Sequence, residues 1–387
     1  MTGVAMTNTS NGANKPVSAP MPTWSIQASK VSTNSNDASQ VPTEATAPTG
    51  AVEPTEAHTE ADTVAKPRYK LAMYWASACG GCDVAVLNLG MKLIEFTERW
   101  EPVFWPAAMD AKRQDVRAME DGEIDVCLFD GGIRTDEDAE MAHLLRAKSK
   151  VLVAFGSCAG EGCIPGLANQ RSIEHVFAAA YDPELNDVNG GLPNGPWESP
   201  YGELELPTLS VRLRTLGQVV DVDYSVPGCP PETERIAEVL GAVTAALDGT
   251  GPLPPKGAVL GAGNSTVCDE CKRERGVKHI TEFKRIQTLA EIDPTLCLLE
   301  QGLPCCGPAT RDGCGAKCPA AGAPCIGCYG ATQGVNDFGA RLLSAYASVV
   351  DASEPEDIER ILAGLPDTVG QFYRFSLAAS LLHGGRS

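Results

Sequence analysis

The sequence is short of positive charge. Its 387 residues include 31 Lys and Arg against 50 Asp and Glu, which gives a formal net charge of −19. A surface of that sign would repel a phosphate backbone, and no basic stripe interrupts it, so we expect no nucleic-acid partner. The chain also lacks any apolar run of roughly 18 residues, the length that a membrane-spanning helix needs, so we expect no membrane span.

Export signals and histidine ligand motifs are also missing. The N terminus shows neither the apolar segment of a secretory signal peptide nor a twin-arginine motif, so we expect a cytoplasmic protein. The five histidines fall in no ligand spacing. By contrast, the chain contains fifteen cysteines. In a reducing compartment such a count indicates metal or redox chemistry rather than disulfide bonds.

Composition divides the chain into four parts. Residues 1–66 are rich in Ala, Thr, Ser, Pro and Asn without a hydrophobic period, which predicts a disordered tail. Residues 67–250 alternate short apolar runs with helical patterns, which is typical of a doubly wound α/β domain. Residues 251–335 are cysteine-rich and too poor in large apolar side chains to form a core alone, so we expect bound metal to organise them. Residues 336–387 read as helices with apolar stripes.

The α/β part should contain five strands and three helices. We expect one helix to carry Val86, Leu89, Leu93 and Phe96, a second to cover Glu137–Lys148, and a third to open at Pro230-Pro231. Residues 181–207 read as a surface excursion with a hairpin. The predicted strands are Tyr69–Trp75, Val103–Trp105, Ile124–Phe129, Val151–Phe155 and Val219–Val226, and the predicted C-terminal helices are Phe338–Val350, Asp357–Leu365 and Phe372–Leu382.

Four cysteines follow predicted strands. Cys79 and Cys82 come after the first strand, Cys158 follows Val151–Phe155, and Cys229 follows the last strand. Because the carboxyl ends of parallel strands meet at one edge of a sheet, these thiols should converge. Four cysteines are the usual complement of a [4Fe–4S] cluster. Taken alone, the C-x-x-C pair would also suit a thioredoxin-like redox site or half of a zinc site.

A second group of nine cysteines lies between residues 264 and 330. Setting one of two adjacent cysteines aside leaves eight thiols, enough for two further sites of four. Zinc would also accept four thiolates, so spacing alone leaves a pair of zinc sites open. The members of this group are Cys268, Cys271, Cys297, Cys305, Cys306, Cys314, Cys318, Cys325 and Cys328.

Four motifs together resemble the small, electron-transfer subunit of [NiFe] hydrogenases. They are Cys79-Gly-Gly-Cys82, Gly156-Ser-Cys158, Gly228-Cys-Pro-Pro231 and Pro324-Cys-Ile-Gly-Cys328. The sequence around these motifs most resembles the cytoplasmic methyl-viologen-reducing type, which is often coupled to heterodisulfide reductase. The resemblance implies a flavodoxin-like domain with a proximal cluster, followed by a cysteine-rich domain with a medial and a distal cluster.

The resemblance also implies a ligand set and a role. Cys268 stands where many relatives have a histidine, and Cys314 supplies a fourth medial thiol, so all three clusters are expected to be [4Fe–4S]. The chain would have no catalytic residue and would relay electrons between the Ni–Fe site of a large subunit and an acceptor protein. The implied ligands are Cys79, Cys82, Cys158 and Cys229 (proximal), Cys314, Cys318, Cys325 and Cys328 (medial), and Cys268, Cys271, Cys297 and Cys305 (distal).

Three cysteines remain outside this ligand set. Cys127 lies inside an apolar run and is expected to be a buried free thiol. Cys163 is a substitute candidate for Cys158, which ranks first because it follows its strand directly. Cys306 adjoins Cys305, and the choice between them rests on the resemblance. The competing functions are a quinone-oxidoreductase module, which shares the proximal site, and a zinc-stabilised interaction protein.

Overall fold

The computed structural model describes residues 67–182, 196–276, 279–289, 291–365 and 367–383. These residues belong to one compact unit, Val64–Ser387. The predicted disordered tail lies outside the described residues. The strands are β1 Tyr69–Trp75, β2 Trp100–Phe104, β3 Ile124–Asp130, β4 Ile133–Thr135, β5 Ser149–Phe155, β6 Trp197–Ser199, β7 Gly202–Leu204, β8 Leu209–Arg214 and β9 Tyr224–Val226. The α-helices are α1 Gly81–Leu87, α2 Met91–Thr97, α3 Arg113–Ala118, α4 Asp136–Lys148, α5 Gly156–Glu161, α6 Ile173–Ala180, α7 Thr233–Leu247, α8 Val267–Glu270, α9 Lys317–Ala320, α10 Phe338–Ala347, α11 Pro355–Leu362 and α12 Thr368–Phe372.

A five-stranded parallel sheet forms the centre of the α/β part. Its strand order is β2-β1-β3-β5-β9, the order of flavodoxin-like doubly wound sheets. The register brings Leu71 opposite Val126 and Val126 opposite Val151. All five carboxyl ends therefore lie at one edge, and the predicted fold class is confirmed.

Helices cover both faces of this sheet. Side chains alternate along each strand, so neighbouring residues enter different cores. Met73 and Leu128 pack with residues of α1 and α7 on one face, whereas Phe129 and Leu152 pack with residues of α3 and α4 on the other. Cys127 is fully buried in the second core, as predicted for a free thiol.

Several element boundaries differ from the prediction. The single helix expected over Val86–Phe96 is two helices, because Gly90 at φ 59° and ψ −125° interrupts it. The strand expected over Val219–Val226 is reduced to β9. The short antiparallel pair β4–β8 was not predicted, and α7 begins after Pro230-Pro231 rather than at them. The expected hairpin is present as β6–β7, while residues 183–195 of that excursion lie outside the described residues.

The cysteine-rich segment and the C-terminal helices share one apolar core. Phe283 and Leu299 from the segment pack with Phe338, Leu342 and Phe372 from the helices. The helix predicted over 372–382 is wrong, because α12 ends at Phe372 and two short 3-10 helices follow it. The segment therefore gains a core from its C-terminal neighbours that it could not form alone. Among the helices described, none combines the length and apolar character needed to cross a membrane.

Candidate metal centres

The first candidate site lies at the carboxyl edge of the sheet. Cys82 is in the first turn of α1 after β1, Cys158 is in α5 after β5, and Cys229 follows β9. Burial raises the pKa of the Cys82 thiol, and Cys158 and Cys229 lie close enough to raise it further. A Cβ atom on Gly156 would stand 2.4 Å from Cys82 Sγ, so glycine is required for this approach. Three of the four predicted proximal ligands are thus brought together.

Cys79 lies on the turn that enters α1, and its side chain is exposed. Gly80 makes this turn with φ 77°, a conformation that costs glycine little. The Cys79 thiol lies 3.3 Å from the position that a Cβ atom would take on Gly81. Cys79 therefore stands at the exposed rim of the site, while Cys82 and Cys158 are buried.

A fifth thiol, that of Cys163, belongs to the same group. Its Sγ lies 3.6 Å from Cys229 Sγ, and the contact lowers the pKa of Cys229 to about 7. Cys163 has a positive φ of 49°, and its N–H donates to the Phe375 carbonyl oxygen at 2.9 Å. Cys158 and Cys163 were the two alternatives for one proximal ligand, and the structure places both of them at the site.

Asp130 is a site residue that the sequence interpretation missed. It ends β3 and is fully buried, and neither carboxylate oxygen has a well-formed hydrogen bond within the described residues. The Cys82 thiol and the Gly131 N–H lie close to it, and burial raises the pKa of Asp130 to about 7. The sequence did contain a signal for it. Asp130 ends a buried strand and is followed by Gly131-Gly132, and the proximal cysteines also lie at or just after the ends of strands.

The predicted distal ligands line one small cavity in the cysteine-rich region. Gly307 lies between two of them, because a Cβ atom there would be 3.2 Å from Cys268 Sγ and 3.6 Å from Cys305 Sγ. The thiols that face this cavity belong to Cys268, Cys271, Cys297 and Cys305.

Cys306 points away from that cavity. Its thiol accepts a hydrogen bond from Gln371 Nε2 at 3.3 Å and lies 3.8 Å from the Gln371 carbonyl oxygen. Gln371 also approaches the Tyr346 hydroxyl at 3.4 Å. The surroundings of Cys306 are those of a buried structural thiol, which favours Cys305 as the ligand of the adjacent pair.

The predicted medial ligands form the third group. Burial raises the pKa of Cys328 to about 12, and Cys314 and Cys318 lie near enough to contribute. Burial also raises the pKa of Cys325 to about 12, with Cys328 and Cys314 among its neighbours. The Cys325 thiol lies 3.5 Å from Thr310 Oγ1. The four thiols therefore influence one another, as ligands of one centre would.

The donors at all three sites suit iron–sulfur clusters. Each site offers four thiols, the usual ligands of such clusters. Within the described ranges, no three His, Cys, Asp or Glu side chains converge tightly enough to hold a single metal ion. A four-iron cluster does not require its ligands to converge on one metal ion, because each thiolate binds a different iron of the core. Since burial holds many of these thiols protonated, binding iron would release their protons.

Comparison with known proteins gives relatives over most of the chain. A family model described as NADH ubiquinone oxidoreductase, 20 Kd subunit, matches residues 79–243. The iron–sulfur subunit of the F420-non-reducing hydrogenase of Archaeoglobus profundus is 38% identical over 321 residues, which cover 81% of this chain and 98% of that protein. The corresponding F420-non-reducing hydrogenase subunit of Methanothermobacter marburgensis is 36% identical over 319 residues, which cover 81% of this chain and 96% of that protein.

Among solved structures, an NAD+-reducing [NiFe]-hydrogenase in the H2-reduced state matches 49% of this chain and 96% of its own, at 27% identity and a TM-score of 0.41. The sequence relatives confirm the resemblance inferred from the cysteine motifs. At this identity and coverage, the chain belongs to the family of the F420-non-reducing hydrogenase iron–sulfur subunit.

Proposed function

We propose that this chain is the iron–sulfur electron-relay subunit of a [NiFe] hydrogenase. Its family makes it a subunit of an oxidoreductase that acts on H2. When bound, each cluster supplies a one-electron centre, and this chain would tune the clusters through ligand type, hydrogen bonds to sulfur and burial. The proposal includes three [4Fe–4S] clusters on the twelve cysteines named above and no catalytic centre of the chain's own.

The observation that carries the proposal is the grouping of these twelve thiols. Proximal ligands from three strand ends meet at the sheet edge, and the four distal thiols share one cavity. Between them, medial Cys328 lies beside Cys229, and medial Cys325 donates its N–H to distal Cys305 Sγ at 3.3 Å. The medial group therefore touches both others, as the middle member of a relay would.

Exposed apolar side chains on both sides of Cys79 in the chain support a large-subunit partner at the proximal end, because exposed apolar surface of this kind marks interaction sites. Met91 is 74% exposed, and the other four are more than 40% exposed. These side chains belong to Trp75, Val84, Leu87, Met91 and Ile94.

The acceptor belongs at the other end of the relay. We propose that an electron-acceptor subunit binds near the distal group. It would be of the kind linked to heterodisulfide reductase in methyl-viologen-reducing hydrogenases. A cytoplasmic location is part of the same proposal. It is supported by the fifteen cysteines, none of which forms a disulfide bond in the described chain, as expected in a reducing compartment.

The test is H2-dependent viologen reduction by the native complex, purified without air through a tag on this chain, with metal analysis of the same sample. We expect activity with nickel and about twelve irons per protomer, from three four-iron clusters. Cys325→Ala should lower the iron content, whereas the matched core variant Cys127→Ala should keep it. Iron without nickel or H2 activity would assign the chain to another oxidoreductase, and zinc alone would refute the relay.

A further inference from the structure

The buried hydroxyl of Ser157 joins the loops that carry proximal and medial ligands. Ser157 stands next to Cys158 at the start of α5 and is 5% exposed. Its Oγ donates to the backbone oxygen of Cys328 and accepts the Gly228 N–H at 3.3 Å. Its own N–H donates to the Gly228 oxygen at 2.8 Å. One side chain thus contacts a medial ligand residue and the peptide group that precedes a proximal one.

These bonds orient the peptide between Gly228 and Cys229. The N–H of that peptide lies close to the Cys328 thiol, which brings a proximal ligand residue next to a medial one. The backbone N–H of Ser157 holds the C=O of this peptide, while the Ser157 hydroxyl accepts the N–H of the preceding peptide and reaches the Cys328 oxygen. The orientation of the contact between the two ligand residues therefore depends on Ser157.

The junction between medial and distal groups is built differently. There the N–H of Cys325 donates directly to Cys305 Sγ at 3.3 Å, and the N–H of Cys306 donates to the Cys325 oxygen at 2.8 Å. A hydroxyl is present here too, since Thr310 Oγ1 donates to the Cys306 oxygen at 2.7 Å and lies 3.5 Å from the Cys325 thiol. The direct contact between Cys325 and Cys305, however, uses a backbone N–H, whereas at the proximal junction the Ser157 hydroxyl itself reaches the backbone of a ligand residue.

We propose that Ser157 is a positioning residue for electron transfer between the proximal and medial clusters. The inference rests on the proposed function. In the step concerned, a single electron derived from H2 would pass from the proximal cluster to the medial cluster, with no bond made or broken in this chain. Electron tunnelling falls steeply with the separation of the centres, so a hydroxyl that fixes the contact between their ligands controls the rate.

A second set of contacts should keep the loops that carry Cys229 and Cys328 together when the Ser157 hydroxyl is removed. The Glu232 N–H donates to the Tyr329 hydroxyl at 3.1 Å, and Lys317 pairs with Glu232. Both contacts join the loop after Cys229 to the medial region without using Ser157. Ser157→Ala should therefore loosen the contact between Cys229 and Cys328 without separating the loops.

The experiment uses the native complex carrying Ser157→Ala, mixed rapidly with H2, frozen at intervals and measured by electron paramagnetic resonance. We expect medial-cluster reduction to slow roughly tenfold, the change that 1.36 kcal/mol of barrier would produce. Reduction of the proximal cluster, which comes before this step, should keep its rate and serves as the internal reference. Ser157→Thr should restore the medial rate. The matched control is Ser380→Ala, because Ser380 Oγ is also buried but donates to the Leu377 oxygen.

The outcomes separate this inference from the proposed function. Clusters present in every variant, with an unchanged medial rate in Ser157→Ala, would overturn the inference alone. Loss of proximal iron in Ser157→Ala would assign the hydroxyl to cluster retention and would also overturn it. A wild-type complex without cluster signals would instead refute the proposed function. Slower medial reduction with full iron content and rescue by Ser157→Thr would support the inference.

Discussion

The proximal site and the cysteine-rich region hold the same kind of ligand by different means. At the proximal site, Cys82, Cys158 and Cys229 follow β1, β5 and β9, so a hydrogen-bonded sheet sets their positions. Between residues 251 and 337, the described chain contains only two α-helices, α8 and α9, of four residues each. There the thiols are placed by turns and by one another. We therefore expect the proximal fold to form without its metal and the cysteine-rich fold to depend on metal binding.

The cores of the two regions reflect this difference. Aliphatic and aromatic side chains dominate both faces of the sheet. In the cysteine-rich region, by contrast, Cys305, Cys306 and Cys325 are themselves part of the buried core. Two of these three are proposed ligands, so removing iron there would alter the core as well as the site. Metal-binding free energy should therefore contribute to folding mainly in this region.

The largest expected effect is that of removing iron. After chelation without air, backbone amides in residues 264–330 should exchange at least about 100-fold faster, equivalent to roughly 2.8 kcal/mol of lost protection. Amides of β1, β3 and β5 should change little, because their cores contain no proposed ligand other than Cys82. Hydrogen exchange read by mass spectrometry measures both regions in one sample. Equal loss of protection in the sheet would show that the proximal fold also depends on its metal.

A single methyl group should disable the proximal site selectively. Gly156 has φ 81°, and a Cβ there would meet Cys82 Sγ at 2.4 Å. In Gly156→Ala we expect about 1–3 kcal/mol of backbone strain and about four of twelve irons lost, measured by thermal unfolding and metal analysis. Gly160→Ala, in the same helix with no atom within 4 Å of its Cβ, is the matched control. Full iron content in Gly156→Ala would contradict the site geometry.

A smaller change should result from removing one medial thiol. Cys314 is the residue expected to make the medial cluster [4Fe–4S] rather than [3Fe–4S]. In Cys314→Ala the iron content should fall by about one per protomer, and a new [3Fe–4S] signal should appear by electron paramagnetic resonance. Cys306→Ala is the matched control, because its thiol contacts Gln371 instead. An unchanged spectrum in Cys314→Ala would remove this residue from the ligand set.

Sequence patterns predicted the sheet better than its surroundings, for physical reasons. β1, β3 and β5 are buried on both faces, so each appears as a short apolar run with clear ends. The strand predicted over Val219–Val226 failed because Asp223 intervenes. The Asp223 carboxylate accepts the Leu152 N–H at 2.9 Å, which takes a donor that a longer strand would have offered to a backbone oxygen. The apolar content of the segment alone does not reveal that a side-chain carboxylate replaces a backbone oxygen as the acceptor.

The candidate sites divide in the same way. Ligands at strand ends could be grouped from the sequence, because parallel strands share one edge. Asp130 was missed because a carboxylate is not an expected cluster ligand. Cys163 was ranked second to Cys158, and its place beside the site depends on a local φ of 49° that the sequence pattern does not reveal. In the cysteine-rich region, spacing gave two groups but not their membership. The structure distinguishes the adjacent pair, because Cys306 contacts Gln371 whereas Cys305 lines the distal cavity.

The smallest expected effect concerns the ion pair that joins Asp223, just before β9, to Arg146 of α4. Arg146 Nη1 donates to Asp223 Oδ2 at 2.5 Å, and Lys256 lies 3.3 Å from the other carboxylate oxygen. Asp223→Asn should cost about 1.5–3 kcal/mol of unfolding free energy at neutral pH, the range for hydrogen bonds to charged groups. The control is Asp121→Asn, whose pair with Lys148 involves a carboxylate that is 80% exposed. Such a surface pair should contribute at most about 1 kcal/mol.

The pH dependence of this pair distinguishes a charge effect from a packing effect. Burial opposes ionisation of Asp223, but the Leu152 N–H and Arg146 outweigh it, so the pKa of Asp223 is lower in the folded chain than its usual 3.8. The unfolded chain therefore binds the proton first as pH falls, and the stabilisation is present above about pH 4 and lost below it. Wild type should lose stability through this acid range more steeply than Asp223→Asn, as followed by denaturant unfolding. Parallel curves would mean that the carboxylate acts by shape alone, and the fold would then hold β9 and Cys229 without its charge.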